Sequence, residues 1–140
     1  MESGKCTAPY WTVGCYADRV YAKRALSELI FTDRDKYSIV YSGKEIDWEN
    51  YGAYISDLAC HCSKKTAEKD YSYFGLQFYG ECWSGPHANE TYAVYGDSNN
   101  CINEFYKDCE LLYDEICIGR DNANFIYTIL ASPGSGSGDS

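Results

Sequence analysis

The clearest pattern of hydrophobic and polar positions lies between Glu49 and Asp70. Its apolar residues recur at the spacing of one buried helical face; they are Tyr51, Tyr54, Ile55, Leu58 and Cys62. Asp47 stands two residues ahead as a candidate N-cap. This pattern predicts a long helix over Glu49–Asp70.

Two shorter segments also show helical spacing. Between Lys23 and Ile30 the spacing of the apolar residues predicts a short helix; these residues are Leu26, Leu29 and Ile30. Between Cys101 and Cys117, four apolar residues fit one helical face, namely Phe105, Cys109, Leu112 and Ile116. The segment Thr32–Glu49 is polar and turn-rich, which predicts a long irregular excursion.

Three segments have strand character. Pro9–Tyr16 is aromatic and β-branched, and Ala123–Leu130 predicts a closing strand. Tyr71–Trp83 alternates most clearly, and its predicted core face is Phe74, Leu76 and Phe78. The opposite face, open to solvent or ligand, is Tyr73, Gly75, Gln77 and Tyr79. Glycines at 75 and 80 indicate a bulge or a close backbone approach.

These elements predict an α+β fold, with a small antiparallel sheet packed on a long helix. We expect residues 1–130 to form one domain. The last ten residues, 131–140, have the Gly/Ser composition of a flexible linker or an added tail. Their composition and the polar start, together with the lack of a long apolar stretch, suggest a mature module excised from a larger protein.

The chain has an even number of cysteines, which predicts about four disulfides and an oxidising compartment. They are Cys6, Cys15, Cys60, Cys62, Cys82, Cys101, Cys109 and Cys117. Zinc is the alternative, but paired Cys-x-x-Cys motifs are absent. Residues 60 and 62 would lie about 200° apart on a helix, so they should reach different partners. We expect Cys60 or Cys62 to pair with Cys82, and Cys15 with Cys117.

The acidic charge of the chain disfavours some classes of binding partner. With 21 acidic and 12 basic residues, the formal net charge is −9, which disfavours nucleic acid and anionic membrane surfaces. No stretch is apolar and long enough to insert into a membrane directly. An EF-hand loop is absent, and we predict neither a metal nor another cofactor. Asn89-Glu90-Thr91 is an N-glycosylation acceptor, and it agrees with a secreted or cell-surface location.

Catalysis is not expected. The chain has two histidines, and His61 lies between two cysteines, so few nucleophile–base–orienter sets remain. Acidic residues are abundant, but no spacing singles out a pair for glycoside hydrolysis. We therefore predict a binding protein rather than an enzyme.

The 15 tyrosines supply aromatic rings for recognition. Sugar binding uses such rings together with amides and carboxylates. Candidate ligand-binding residues of these types gather around one predicted strand end and the loop after it; they are Gln77, Tyr79, Trp83, Tyr92, Tyr95 and Asp97. The alternative for Trp83 is core packing against a disulfide, and Trp11 and Trp48 are assigned to packing. The same aromatic surface also fits a protein partner, including another copy of the chain.

Two motifs are similar to the WSC domain. Gly14-Cys15-Tyr16-Ala17-Asp18 followed by Arg24-Ala25-Leu26 resembles its opening, and the run Tyr73–Trp83, YFGLQFYGECW, resembles its central strand. The pattern as a whole looks like a divergent WSC-like module of marine invertebrate surface or matrix proteins. The resemblance implies a compact α+β fold of the WSC or PAN kind and a role in carbohydrate binding, adhesion or matrix recognition. We therefore predict an extracellular carbohydrate-binding module, with protein–protein adhesion or a self-associating matrix protein as the alternative.

Overall fold

The computed structural model describes residues 6–19 and 23–130. The polar residues at the start of the chain, 1–5, and the predicted linker at 131–140 therefore lie outside the described residues. The elements, in chain order, are β1 (Tyr10–Ala17), β2 (Glu28–Thr32), α1 (Tyr51–Glu68), β3 (Tyr73–Gln77), β4 (Glu81–Ser84), α2 (Ala88–Thr91), β5 (Cys101–Ile102), β6 (Ile118–Gly119) and β7 (Ala123–Ile129). A single 3₁₀ turn, Trp48–Asn50, leads into α1.

The main sheet has five strands in the order β1-β7-β3-β4-β2, and each neighbouring pair is antiparallel. The predicted closing strand, β7, lies in the interior of the sheet between β1 and β3. Its residues Ala123–Tyr127 are all buried, which explains why the segment is nearly continuously apolar. The α+β prediction is confirmed.

Helix α1 packs on one face of this sheet. The predicted apolar stripe is its buried face, and Ser63 and Thr66 extend that face toward the C-terminal end. The helix is two residues shorter at each end than predicted. Asp47 caps the 3₁₀ turn instead of α1, because its carboxylate accepts a hydrogen bond from the Asn50 N–H at 3.1 Å.

A second, smaller core lies on the opposite face of the sheet. Its buried residues are Leu26, Trp83, Ala88 and Ile126, and the segment around α2 covers them. The segment Tyr71–Trp83 therefore buries residues on both faces of the sheet near its middle, including the face that was predicted to be open to solvent or ligand. Gly75 fits this arrangement, since a Cβ there would lie 2.7 Å from Leu26 Cδ1.

All eight cysteines form disulfides: Cys6–Cys60, Cys15–Cys101, Cys62–Cys82 and Cys109–Cys117. The predicted pairing of the helix with Cys82 is confirmed, and the two helix cysteines do reach different partners. The predicted Cys15–Cys117 bridge is wrong. Within the described residues, the one grouping of metal-ligand atoms is Cys109, Asp114 and Cys117, and its two sulfurs are already bonded to each other.

The predicted helix over Lys23–Ile30 is wrong, because Glu28–Thr32 forms the edge strand β2. Pairing with β4 directs Ile30 and Phe31 into the core beneath α1, and Leu26 packs on the other face. Two faces are therefore filled from one short segment. Spacing alone cannot distinguish this arrangement from one helical face.

The predicted helical face between Cys101 and Cys117 is also wrong. Eight residues of α-helix would separate two Cα atoms by about 12 Å, whereas the Cys109 and Cys117 Cα atoms lie 6.1 Å apart. The segment instead folds back through turns, and Phe105 and Leu112 are exposed.

The run Tyr71–Trp83 is a hairpin rather than one strand. Phe78 and Tyr79 both have positive φ, 53° and 69°, which is typical of the central residues of a type I′ turn, and the loop between the paired Gln77 and Glu81 spans residues 78–80. Their N–H groups donate to the Arg120 and Gly119 carbonyls, which brace the turn. Phe78 therefore lies at the tip of the turn and not on the core face as predicted.

Candidate functional site

The predicted ligand-binding residues lie in three places. Gln77 and Trp83 flank Arg24 on the outer side of β3 and β4. Tyr79 lies at the hairpin turn beside Trp48. The remaining three, Tyr92, Tyr95 and Asp97, lie on the segment that follows α2 and runs beside β1.

Gln77 belongs to a buried polar cluster around Asp18. The Asp18 carboxylate accepts hydrogen bonds from the side chains of Arg24, Gln77 and Asn124 at 3.0–3.2 Å, and from the N–H groups of Arg19 and Ala25 at 2.8 Å. Only 2 % of Gln77 is exposed, and its amide bonds both Arg24 and Asn124. These contacts fix Asp18 and Arg24 against strands β3 and β7, and each buried polar side chain of the cluster has a hydrogen-bond partner.

Trp83 packs between two charged groups. The Arg24 guanidinium lies 4.0 Å from the centroid of its ring, and the indole N–H donates to Glu81 at 2.9 Å. Burial raises the pKa of the Glu81 carboxyl, while the Trp83 hydrogen bond and the charges of Arg24 and Arg34 oppose that rise. Trp83 is itself buried, as the packing alternative predicts.

Tyr92 joins an aromatic trio on the outer sheet face. Its ring stacks on Tyr73 at 5.0 Å and meets the edge of Tyr16 at 5.1 Å. Tyr95 lies farther out, where its hydroxyl donates to the Lys23 carbonyl and its ring lies under Arg19. The trio therefore reaches from the second core to the end of β1.

A cleft of about 210 Å³ opens beside this trio. Four polar residues line it, and they are Tyr16, Asp97, Ser98 and Asn99. Its apolar wall includes Val13 and Leu111, and its floor includes the Cys15–Cys101 disulfide. The cleft is smaller than the ~300–1,000 Å³ pockets that enclose drug-sized ligands, so it suits one small ring.

The cleft is held rigidly. The Ala17 N–H donates to the Gly96 carbonyl and the Ser98 N–H to the Cys15 carbonyl, both at 3.0 Å, so residues 96–98 lie along the edge of β1. Gly14 lets the Tyr16 ring lie close to the strand, because a Cβ there would stand 3.3 Å from its Cε1. A site held this way loses little conformational freedom on binding.

Two polar groups in the cleft remain available for a ligand. Among the described residues, neither the Asp97 carboxylate nor the Asn99 amide forms a side-chain hydrogen bond, whereas Ser98 Oγ accepts one from the Asn100 N–H. Burial, and then the nearby Tyr92, Asp97 and Tyr73, raises the pKa of Tyr16. Its hydroxyl therefore stays protonated at neutral pH and can both donate and accept.

Of these cleft residues, sequence reasoning identified only Asp97. Tyr16 belongs to a predicted strand and to the WSC-like opening motif, and neither assignment marks it as a ligand contact. The polar run after Gly96, Asp97-Ser98-Asn99-Asn100, was visible in the sequence as loop composition. What brings it to Tyr16 is the pairing of this run with β1, which the composition does not encode.

A larger groove of about 550 Å³ lies between β2, the excursion and α1. Phe31 stacks on His61 at its base, with ring centroids 4.3 Å apart, and burial lowers the pKa of His61. On its rim Lys69 pairs with Glu28 at 3.0 Å. Ser42 also lines the groove, but its hydroxyl donates a hydrogen bond to Asp33 and not to His61. Ser42, His61 and Asp33 therefore do not form a nucleophile–base relay.

The two tryptophans that were assigned to packing are only partly packed, because 45 % of Trp11 and 48 % of Trp48 is exposed. Trp48 stacks on the buried Tyr51 with one face and leaves much of its indole in solvent.

Asn89 is exposed on α2, where an attached glycan would meet solvent. In the described part of the chain, no helix combines the length and apolarity needed to cross a bilayer.

Comparison with known proteins yields no relative: no family model matches this chain, and no match was found among the curated proteins or the solved structures.

Proposed function

We propose that this chain is an extracellular recognition module, WSC-like in character, that binds carbohydrate in the cleft beside Tyr16. The observation that carries the proposal is the convergence of the Tyr16 ring, the Asp97 carboxylate and the Asn99 amide on a rigid cleft the size of one small ring. The ligand would be a glycan of another molecule, bound without chemical change.

The chemistry of the cleft suits a pyranose. A tyrosine ring offers an apolar face to the C–H side of the sugar. The carboxylate accepts hydrogen bonds from neighbouring sugar hydroxyls, and the amide can both accept and donate them. Hydrogen bonds to a charged acceptor are the stronger ones. Tyr92 and Tyr73 extend the aromatic surface beside the cleft, so a second sugar unit would find further rings.

Secretion or display on the cell surface is part of the same proposal. Four disulfides are typical of proteins that fold in an oxidising compartment. The exposed Asn89 sequon agrees with passage through the secretory pathway. Protein–protein adhesion and self-association in a matrix are the competing functions.

A glycan array with the deglycosylated domain tests the proposal, followed by titration of the best glycan against two variants. Asp97→Asn keeps the shape of the side chain but removes its charge, and we expect it to weaken binding about tenfold or more. Asn99→Ala should also weaken binding. Asp121→Asn is the matched control, because Asp121 is an exposed carboxylate outside the cleft lining, and it should leave the affinity unchanged.

Two results would contradict the proposal. If both cleft variants bind glycan as the wild type does, the cleft is not the site. If no glycan binds while the domain self-associates, carbohydrate recognition is wrong and the matrix alternative gains support.

A further inference from the structure

Exposed aromatic rings and carboxylates alternate on a second surface, formed by the 3₁₀ turn and the loop after β5. Its members, which we call the acidic–aromatic surface, are Asp47, Trp48, Glu49, Glu104, Phe105 and Tyr106. Trp48 is 48 % exposed, Tyr106 44 % and Phe105 67 %. This surface shares no residue with the sugar cleft.

The rings on this surface are stacked in a fixed order. The buried Tyr51 stacks on both Trp48 and Tyr106, with centroid separations of 5.7 and 4.8 Å and interplanar angles of 6° and 19°. Tyr106 also donates its hydroxyl to the Trp48 carbonyl. Tyr79 packs beside Trp48, with ring centroids 5.6 Å apart and an angle of 57° between the ring planes. The aromatic faces are thus held in place before any partner arrives.

The carboxylates of this surface have no ion-pair partner in the part of the chain that the structure describes. Among residues 6–19 and 23–130, no lysine, arginine or histidine nitrogen lies within 4.0 Å of the carboxylates of Asp47, Glu49 or Glu104. Glu104 lies directly against Gly52 in the first turn of α1, beside Tyr51. Asp47 is close enough to Tyr106 to raise the pKa of its hydroxyl, after the larger effect of burial.

We infer that this surface binds a protein segment that presents lysine or arginine side chains. Aromatic faces attract cations, tryptophan most strongly, and neighbouring carboxylates add charge complementarity. The chain already makes this contact within itself, since arginines 19, 24 and 34 each lie over an aromatic ring at 3.7–4.6 Å. A second copy of the chain fits poorly, because the net charge of −9 makes two acidic surfaces repel.

The test is the binding of a fluorescent (Gly-Arg)₆ peptide, measured by anisotropy, with (Gly-Glu)₆ as the charge-reversed control. We expect the basic peptide to bind and the acidic one not to bind. Trp48→Ala should weaken binding about threefold or more, the size of a lost exposed cation–π contact. Trp11→Ala is the matched control, because Trp11 is equally exposed but lies on β1, away from this surface.

A second pair of variants separates this surface from general charge attraction. Asp47→Asn with Glu104→Gln should weaken binding and reduce its salt dependence. Glu68→Gln with Glu90→Gln removes the same charge elsewhere and should leave both unchanged. Equal losses in the two double variants, equal losses at the two tryptophans, or no binding of the basic peptide would each overturn the inference. So would self-association that Trp48→Ala abolishes, because a second copy would then cover the surface.

Discussion

Removal of the Cys15–Cys101 disulfide should cost more stability than removal of any bridge that closes a short loop. The two cysteines are 86 residues apart in sequence. The shortest covalent path between them runs through the Cys6–Cys60 and Cys62–Cys82 bridges, however, and it contains roughly 30 residues when those bridges are intact. In the chain-entropy model this effective loop corresponds to about 3.5 kcal/mol at 25 °C.

The internal reference is the Cys109–Cys117 disulfide, which closes a loop with a separation of only 8 residues. The same model gives about 2.5 kcal/mol for that loop. The two double alanine variants, Cys15→Ala/Cys101→Ala and Cys109→Ala/Cys117→Ala, should therefore differ by about 1 kcal/mol. Each variant removes two sulfurs, so the comparison isolates loop length better than either variant alone.

Guanidinium chloride unfolding without reductant provides the measurement, with midpoints compared at a common denaturant slope. Intact mass under the same conditions should confirm three remaining disulfides in each variant. If the Cys109–Cys117 variant loses as much stability as the Cys15–Cys101 variant, or more, the reasoning from chain entropy fails for this protein. Local packing around the sulfurs would then dominate the cost.

Three further substitutions test the polar interior. Asp18→Asn places an N–H₂ group against the amide donors of Gln77 and Asn124 and should cost about 3 kcal/mol or more; a loss below about 1 kcal/mol in denaturant unfolding would contradict the network. Thr66 Oγ1 is buried without a hydrogen-bond partner, so Thr66→Val should raise the free energy of unfolding by about 1 kcal/mol, and a decrease would show a missed partner. Burial raises the pKa of Glu81 above its ordinary value of 4.5. The protonated carboxyl therefore contributes stability below about pH 4.5, and this contribution is lost as the pH rises through the pKa in the folded state. Glu81→Gln should therefore raise the melting temperature near pH 7 relative to its effect near pH 4, and an equal effect at both values would refute the shift.

Helix α1 and strands β1 and β7 were predictable because their side-chain patterns repeat over many residues. A stripe from Tyr51 to Cys62 leaves no other regular structure that buries every member. The pairing of the helix with Cys82 followed from the expectation that this helix packs on the strand segment that contains Cys82. Such patterns are local, so a single chain segment carries them.

The wrong predictions share a different cause. Residues 28–32 form a strand because β4 offers an unpaired edge, and that edge lies more than 45 residues away in sequence. The turn at Phe78 and Tyr79 is stabilised by the carbonyls of β6 and Arg120, and neither residue is a usual turn former. In both cases a distant backbone supplied the hydrogen bonds that the local sequence does not specify.

The sequence by itself determined an oxidised, acidic, tyrosine-rich α+β chain, because composition, cysteine number and periodicity are properties of the chain alone. The tertiary structure alone decided which polar groups face each other. It buried Gln77 and Trp83, left Trp48 half exposed, and brought Asp97 to Tyr16 through backbone pairing between distant segments. A binding site depends on such distances between side chains, and these distances are determined only by the pairing of the strands in the folded protein.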